Sequence, residues 1–68
     1  MVYDTGLYAA LNRLTAIELD AGNPPDLRRL VSNDRQALSF RIGRGDNSGA
    51  WAKVAEVRAY LVTWGVSL

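Results

Sequence analysis

The sequence contains no cysteine and no histidine among its 68 residues. The chain therefore forms no disulfide, offers no thiolate nucleophile or imidazole base, and cannot build a zinc site from Cys and His ligands. Its seven acidic residues are scattered, and none repeats at the spacing of metal ligands. We expect neither a metal nor a cofactor.

Long apolar runs are also missing. No stretch approaches the roughly 20 apolar residues that a membrane-spanning helix requires, so we expect no membrane association. Residues 1–4 place no basic segment ahead of an apolar run, which argues against a secretory signal. The length predicts a single small domain over residues 1–68, and we expect it to be cytoplasmic unless it belongs to a virus particle.

Groups suited to catalysis are equally scarce. Two carboxylates share a helix face only at i, i+3 or i+4 spacing, whereas the closest acids, Glu18 and Asp20, are two residues apart. A serine or threonine nucleophile would have no evident base. So short a chain also leaves little room for a concave pocket. We predict that the protein is not an enzyme and has no small-molecule substrate.

Both ends of the chain show helical spacing. Asp4 or Thr5 is a candidate N-cap and Gly22 a candidate stop, which predicts a helix over about Asp4–Ala21. Cap residues before Ser48 predict a second helix over about Ser48–Trp64. The apolar residues that repeat at spacings of 4, 3, 4 and 3 are Tyr3, Leu7, Ala10, Leu14 and Ile17 in the first helix, and Ala50, Val54, Val57, Leu61 and Trp64 in the second.

The middle of the chain fits two structures. Leu38, Phe40 and Ile42 alternate with polar residues as in a half-buried strand, which would pair with Arg29–Val31 across a turn at residues 32–34. Alternatively, Pro24 and Pro25 open a helix. We predict an α+β fold in which two helices flank a short β-hairpin, with an all-α three-helix bundle as the alternative.

Positive charge is concentrated in the centre. Residues 1–27 carry a net charge of −3 and residues 28–44 a net charge of +4. Such a centre predicts contact with DNA, without sequence specificity, or with an acidic partner, and the alternative is a solvated surface. The arginines of this predicted basic patch are Arg28, Arg29, Arg35, Arg41 and Arg44.

Aromatic residues exceed what a core this small can bury. Tyr8 and Leu19, with Leu11 beside them, form a second line off the main stripe of the first helix, and Trp51, Ala55 and Val62 form a second line on the last helix. Trp and Tyr often anchor protein–protein contacts. We therefore predict a homo-oligomer or a place in a larger assembly, with a subunit interface formed by Tyr8, Leu19, Trp51, Tyr60 and Trp64.

The order of a helix, a basic short hairpin through residues 30–34 and 38–42, and a capped helix resembles the small head-completion proteins of tailed phages of the W type. The resemblance covers most of the chain and is one of pattern, without a shared diagnostic motif. It implies a structural subunit of the virion that forms a ring under the portal and joins head to tail. A ring requires two different contact faces. The alternative is a small phage-encoded regulatory or inhibitory protein that binds a host protein or nucleic acid through one dominant apolar face.

Overall fold

The first helix, α1, comprises Thr5–Leu19 in the computed structural model, which describes residues 4–68. Asp4 is its N-cap, because Oδ1 accepts hydrogen bonds from the backbone N–H groups of Gly6 (3.0 Å) and Leu7 (3.2 Å). The helix ends two residues before the predicted boundary, where Asp20 takes an extended backbone. Tyr3 lies outside the described residues, and the other four positions of the predicted stripe form the buried face: Leu7, Ala10, Leu14 and Ile17.

The second helix, α2 (Pro25–Gly43), occupies the segment for which we predicted a β-hairpin. The α+β prediction is therefore wrong, and the all-α alternative is the observed fold. A strand would put Leu38, Phe40 and Ile42 on one face. In the helix, Leu38 is fully buried and Ile42 packs against the core, whereas Phe40 is 64% exposed.

The reason for the helix lies in the spacing of the apolar residues further upstream. Leu27, Val31 and Leu38 are 4 and 7 residues apart, so a helix puts all three on one side, and all three are at most 1% exposed. A hairpin that turns at residues 32–34 would not present them together to α1. Pro25 stands at the first helical position, where its missing N–H costs no hydrogen bond.

The third helix, α3, comprises Asn47–Thr63 and begins and ends one residue before the predicted bounds. Asp46 caps it by accepting a hydrogen bond from Gly49 N–H at 2.9 Å. Gly65, at φ 70°, ends it in a Schellman motif, in which Val66 N–H donates to the Leu61 carbonyl. The buried face consists of Ala50, Val54, Val57 and Leu61, the first four positions of the predicted stripe.

The three helices alternate in direction, and α2 makes most of the contacts with the other two. The start of α1 lies beside the start of α3, since Trp51 Nε1 donates to Asp4 Oδ2 at 2.7 Å. Residues 65–68 turn back between α1 and α3, where Val66 and Leu68 pack against the core and the Ser67 carbonyl accepts a hydrogen bond from Arg13 Nε at 3.1 Å. Within residues 4–68 no helix combines the length and apolar character that crossing a bilayer demands.

Candidate protein-docking surface

Helix α3 is apolar on two sides. Its first side forms the core, and its other side presents Trp51, Ala55, Ala59 and Val62, which we call the α3 face. These residues are 4, 4 and 3 positions apart and therefore share one side of the helix. All four are exposed, Val62 to 71%. A contiguous apolar patch that is exposed on a small protein is typical of an interaction site.

A groove between α1 and α3 borders the α3 face. It has a volume of about 450 Å³ and is lined by Gly6, Ala9, Ala10, Arg13, Trp51, Arg58 and Leu68. The indole of Trp51 forms one wall of the groove and one end of the α3 face, so the two surfaces are continuous. We refer to them together as the docking surface.

The indole of Trp51 is held in place by α1. Besides its hydrogen bond to Asp4, its ring packs so closely on Gly6 that a Cβ added there would lie 2.9 Å from Cη2 of the ring. Gly6 therefore leaves room for the indole, and any residue with a Cβ at this position would force the ring to shift. A fixed, amphipathic side chain of this kind loses little conformational entropy when a partner binds.

Two arginines border the groove. Neither Arg13 nor Arg58 forms an ion pair with a carboxylate in the part of the chain that the structure describes. Arg13 donates from Nε to a backbone carbonyl, and Arg58 has no acid three or four residues away on α3. The groove is therefore mainly apolar, and no ion pair within the described residues balances the charges of Arg13 and Arg58 at its edge.

The predicted basic patch is not gathered into one surface. Arg28 and Arg35 both reach the end of α1, where Arg28 Nε donates to the carbonyl of Glu18 at 3.1 Å and Arg35 Nε pairs with the Glu18 carboxylate at 2.5 Å. Arg29 is exposed on α2.

The other two predicted arginines lie near the turn between α2 and α3. Arg41 Nη1 donates to the carbonyl of Gly49 at 2.8 Å, and the guanidinium of Arg44 stands 5.4 Å from the centre of the Phe40 ring. Four of the five arginines thus make contacts within the protein, on different sides of α2.

The pair between Arg35 and Glu18 makes stability depend on pH. The hydrogen bond from Arg35, with a second from Ser32, lowers the pKa of Glu18 below its ordinary value. A carboxylate with a lowered folded-state pKa contributes stability above its unfolded pKa of about 4.3 and loses that contribution as the pH falls through the folded pKa. We expect Glu18→Gln to lower the free energy of unfolding by less than about 1 kcal/mol at pH 7, because the pair is partly exposed to solvent, and by much less at pH 2.5.

Urea unfolding followed by circular dichroism at the two pH values measures this difference. The matched control is the same substitution in an Arg35→Gln background, where it should cost less at pH 7 because the pair is already broken. An equal cost of Glu18→Gln at both pH values would contradict the assignment.

The predicted interface residues are divided among separate regions. Tyr8 (40% exposed) and Leu19 (73%) lie on α1, and Leu11 between them is partly buried against the core. Tyr60 is half-buried on the side of α3 that carries Lys53, and burial, followed by the nearby Asp34 carboxylate, raises the pKa of its phenol. Four residues beyond it, Trp64 is 39% exposed.

Of the five predicted interface residues, Trp51 alone belongs to the docking surface. The second line of Trp51, Ala55 and Val62 was visible in the helical spacing, and Ala59 could have been added from the same pattern. No local signal marks Gly6, Arg13 or Arg58, which are brought together only by the packing of α1 against α3.

Within residues 4–68, no three acidic side chains are grouped closely enough to hold a metal ion. Comparisons with protein-family models, with curated proteins and with solved structures found no match for this chain.

Proposed function

We propose that this chain is a small non-enzymatic regulatory or inhibitory protein that acts by docking on another protein. The observation that carries the proposal is the second apolar side of α3, which is exposed along its length and continuous with the α1–α3 groove. Burying about 800 Å² on each partner is typical of a specific complex, and a helix face with an adjoining groove supplies a surface of suitable kind.

Contacts within the protein favour a protein partner over a nucleic acid. Binding to nucleic acid depends on cations that are free to reach phosphates. Arg28, Arg35 and Arg41 already donate to groups of this chain. The four residues of the α3 face carry no charge and include the Trp51 indole, and a lack of charge together with an aromatic residue is typical of the desolvated centre of a protein–protein interface.

The head–tail connector remains a prediction that the structure supports less well. The hairpin on which the resemblance partly depended is a helix, α2. A ring also needs two different contact faces, and on the second line of α1 Leu11 is partly buried against the core of this chain. One dominant face favours a binding protein over a ring subunit.

Ala59→Arg should abolish partner binding without unfolding the protein. Ala59 is exposed in the middle of the α3 face, and Arg is nearly as good a helix former as Ala, so the fold should tolerate the change. At a contact of small side chains, the long Arg side chain would hold the partner away from α3, and we expect affinity to fall by about a hundredfold or more. The matched control is Asn33→Arg, which adds the same charge to an exposed site on α2.

A photoreactive amino acid placed at position 55 or at position 33 tests the proposal in extracts of the source cells. We expect a discrete adduct with a different protein from position 55, no such adduct from position 33, and loss of the first adduct in the Ala59→Arg variant. Adducts only between copies of this chain, together with a ring-sized species in sedimentation velocity, would replace the proposal with the connector. The absence of any adduct at position 55 would contradict both.

A further inference from the structure

We propose, on the basis of the docking function proposed above, that the partner presents an amphipathic helix whose apolar side is flanked by acidic residues. Its apolar side would lie along the α3 face, and its carboxylates would pair with Arg13 and Arg58. The shape of the docking surface favours a helical partner, and the charges of Arg13 and Arg58 favour acidic residues on that helix.

The shape of the docking surface suits a helix. Ala55 and Ala59 carry only a methyl group, so a second helix can approach α3 at the short end of the 8–10 Å range of interaxial distances. The groove beside them, at about 450 Å³, has room for a large apolar side chain against the fixed indole of Trp51. Helix-in-groove recognition uses this combination of a packed helix face and one or two inserted anchors.

The charge of the surface specifies acidic flanks. Docking over the groove would remove water from Arg13 and Arg58, and a desolvated guanidinium is costly unless a carboxylate pairs with it. Three carboxylates of this chain form ion pairs at other places in the structure. Glu18 pairs with Arg35, and Asp34 and Glu56 both pair with Lys53. Asp4, at the end of the groove, already accepts hydrogen bonds from the Trp51 indole and the α1 backbone. The partner must therefore supply the negative charge.

The same argument disfavours a second copy of this chain as the occupant. A symmetric contact through the α3 face would bring Arg58 of each copy to the same small interface, with Arg13 of each close by. No acidic residue lies on the α3 face to balance these charges. In such a dimer four arginines would face only the two Asp4 carboxylates, which already accept hydrogen bonds from the Trp51 indole and the α1 backbone, so positive charge would be in excess. An acidic helix bound to one copy can pair with both of its arginines.

A displayed library of amphipathic helical peptides tests this chemistry without knowledge of the natural partner. The apolar side of each 18-residue peptide is varied among Leu, Ala, Phe and Met, and the flanking positions are varied among Glu, Gln and Lys. The library is selected against the wild-type protein, against the charge-reversed variant Arg13→Glu/Arg58→Glu, and against Ala59→Arg. Circular dichroism of each variant first verifies the helical fold.

We expect peptides selected by the wild-type protein to be enriched in Glu at the flanks and to bind the charge-reversed variant at least tenfold more weakly, while that variant selects Lys instead. Selected peptides that are lost in Ala59→Arg but show no charge preference would overturn the acidic partner and leave the docking function standing. If no peptide is enriched, or if selected peptides bind Ala59→Arg equally well, both the docking surface and its acidic partner are overturned. If the peptides fail and a labelled single-stranded DNA oligonucleotide binds with steep salt dependence, the partner is a nucleic acid.

Discussion

Replacing Leu14 by Ala should leave the protein largely unfolded at room temperature. Leu14 is 0% exposed and lies on the buried face of α1, among the core residues of all three helices. Truncation of a buried Leu costs about 2–5 kcal/mol, because the transfer free energy of the lost methyl groups is joined by the cost of the cavity left behind. A single core of this size rarely supplies more than about 3–5 kcal/mol in total, so the loss is comparable to the whole stability.

The same helix supplies the matched control. Leu19→Ala makes the same chemical change at the end of α1, where the side chain is 73% exposed, and it should change the free energy of unfolding by less than about 0.5 kcal/mol. Urea titration followed by the helical signal in circular dichroism compares the two variants. Equal midpoints for Leu14→Ala and Leu19→Ala would show that α1 does not pack as described.

The positions of α1 and α3 could be predicted because their signals are local. The apolar spacing and the N-cap residues act within a few residues of one another, and the structure confirms the buried faces that the spacing indicates. The ends of the helices differ from the predicted bounds by one or two residues, as expected where fraying competes with capping.

The middle segment could not be assigned in this way, because two local patterns coincide in it. The alternation of Leu38, Phe40 and Ile42 is that of a strand, whereas Leu27, Val31 and Leu38 have helical spacing. The choice between them depends on burial against α1 and α3, which lies outside any short window of sequence. The helix buries three large side chains and leaves Leu30 (43%) and Phe40 (64%) exposed.

One part of the docking surface could be predicted from the sequence, because its signal is local. The exposed line on α3 follows from spacing within one helix, and Trp51 was identified as an interface residue. The groove, in contrast, requires Gly6 and Arg13 of α1 to meet Trp51 and Arg58 of α3. Excess apolar surface in a small chain predicts that a partner exists, and only the packing of the helices indicates where it binds.

Ser39→Pro should destabilise the protein by about 3 kcal/mol or more. Ser39 is exposed within α2, so the change creates no core cavity, and its effect acts through the backbone. Proline removes the hydrogen bond from residue 39 to the carbonyl of Arg35, and its ring clashes with that carbonyl. Since α2 contacts both other helices, a break at this point also disrupts the packing of Leu38.

Ser39→Ala at the same position distinguishes the helix from the predicted strand. Ala is a better helix former than Ser, so the helix predicts a gain of up to about 0.5 kcal/mol, whereas Ala is unfavourable in a strand and would lower stability there. Thermal and urea unfolding of the wild type and both variants measure the sign as well as the size of each effect. A loss of stability in Ser39→Ala would support a strand at residues 38–42. A gain of stability in Ser39→Ala, together with the large loss in Ser39→Pro, would show that residues 38–42 belong to α2 in solution.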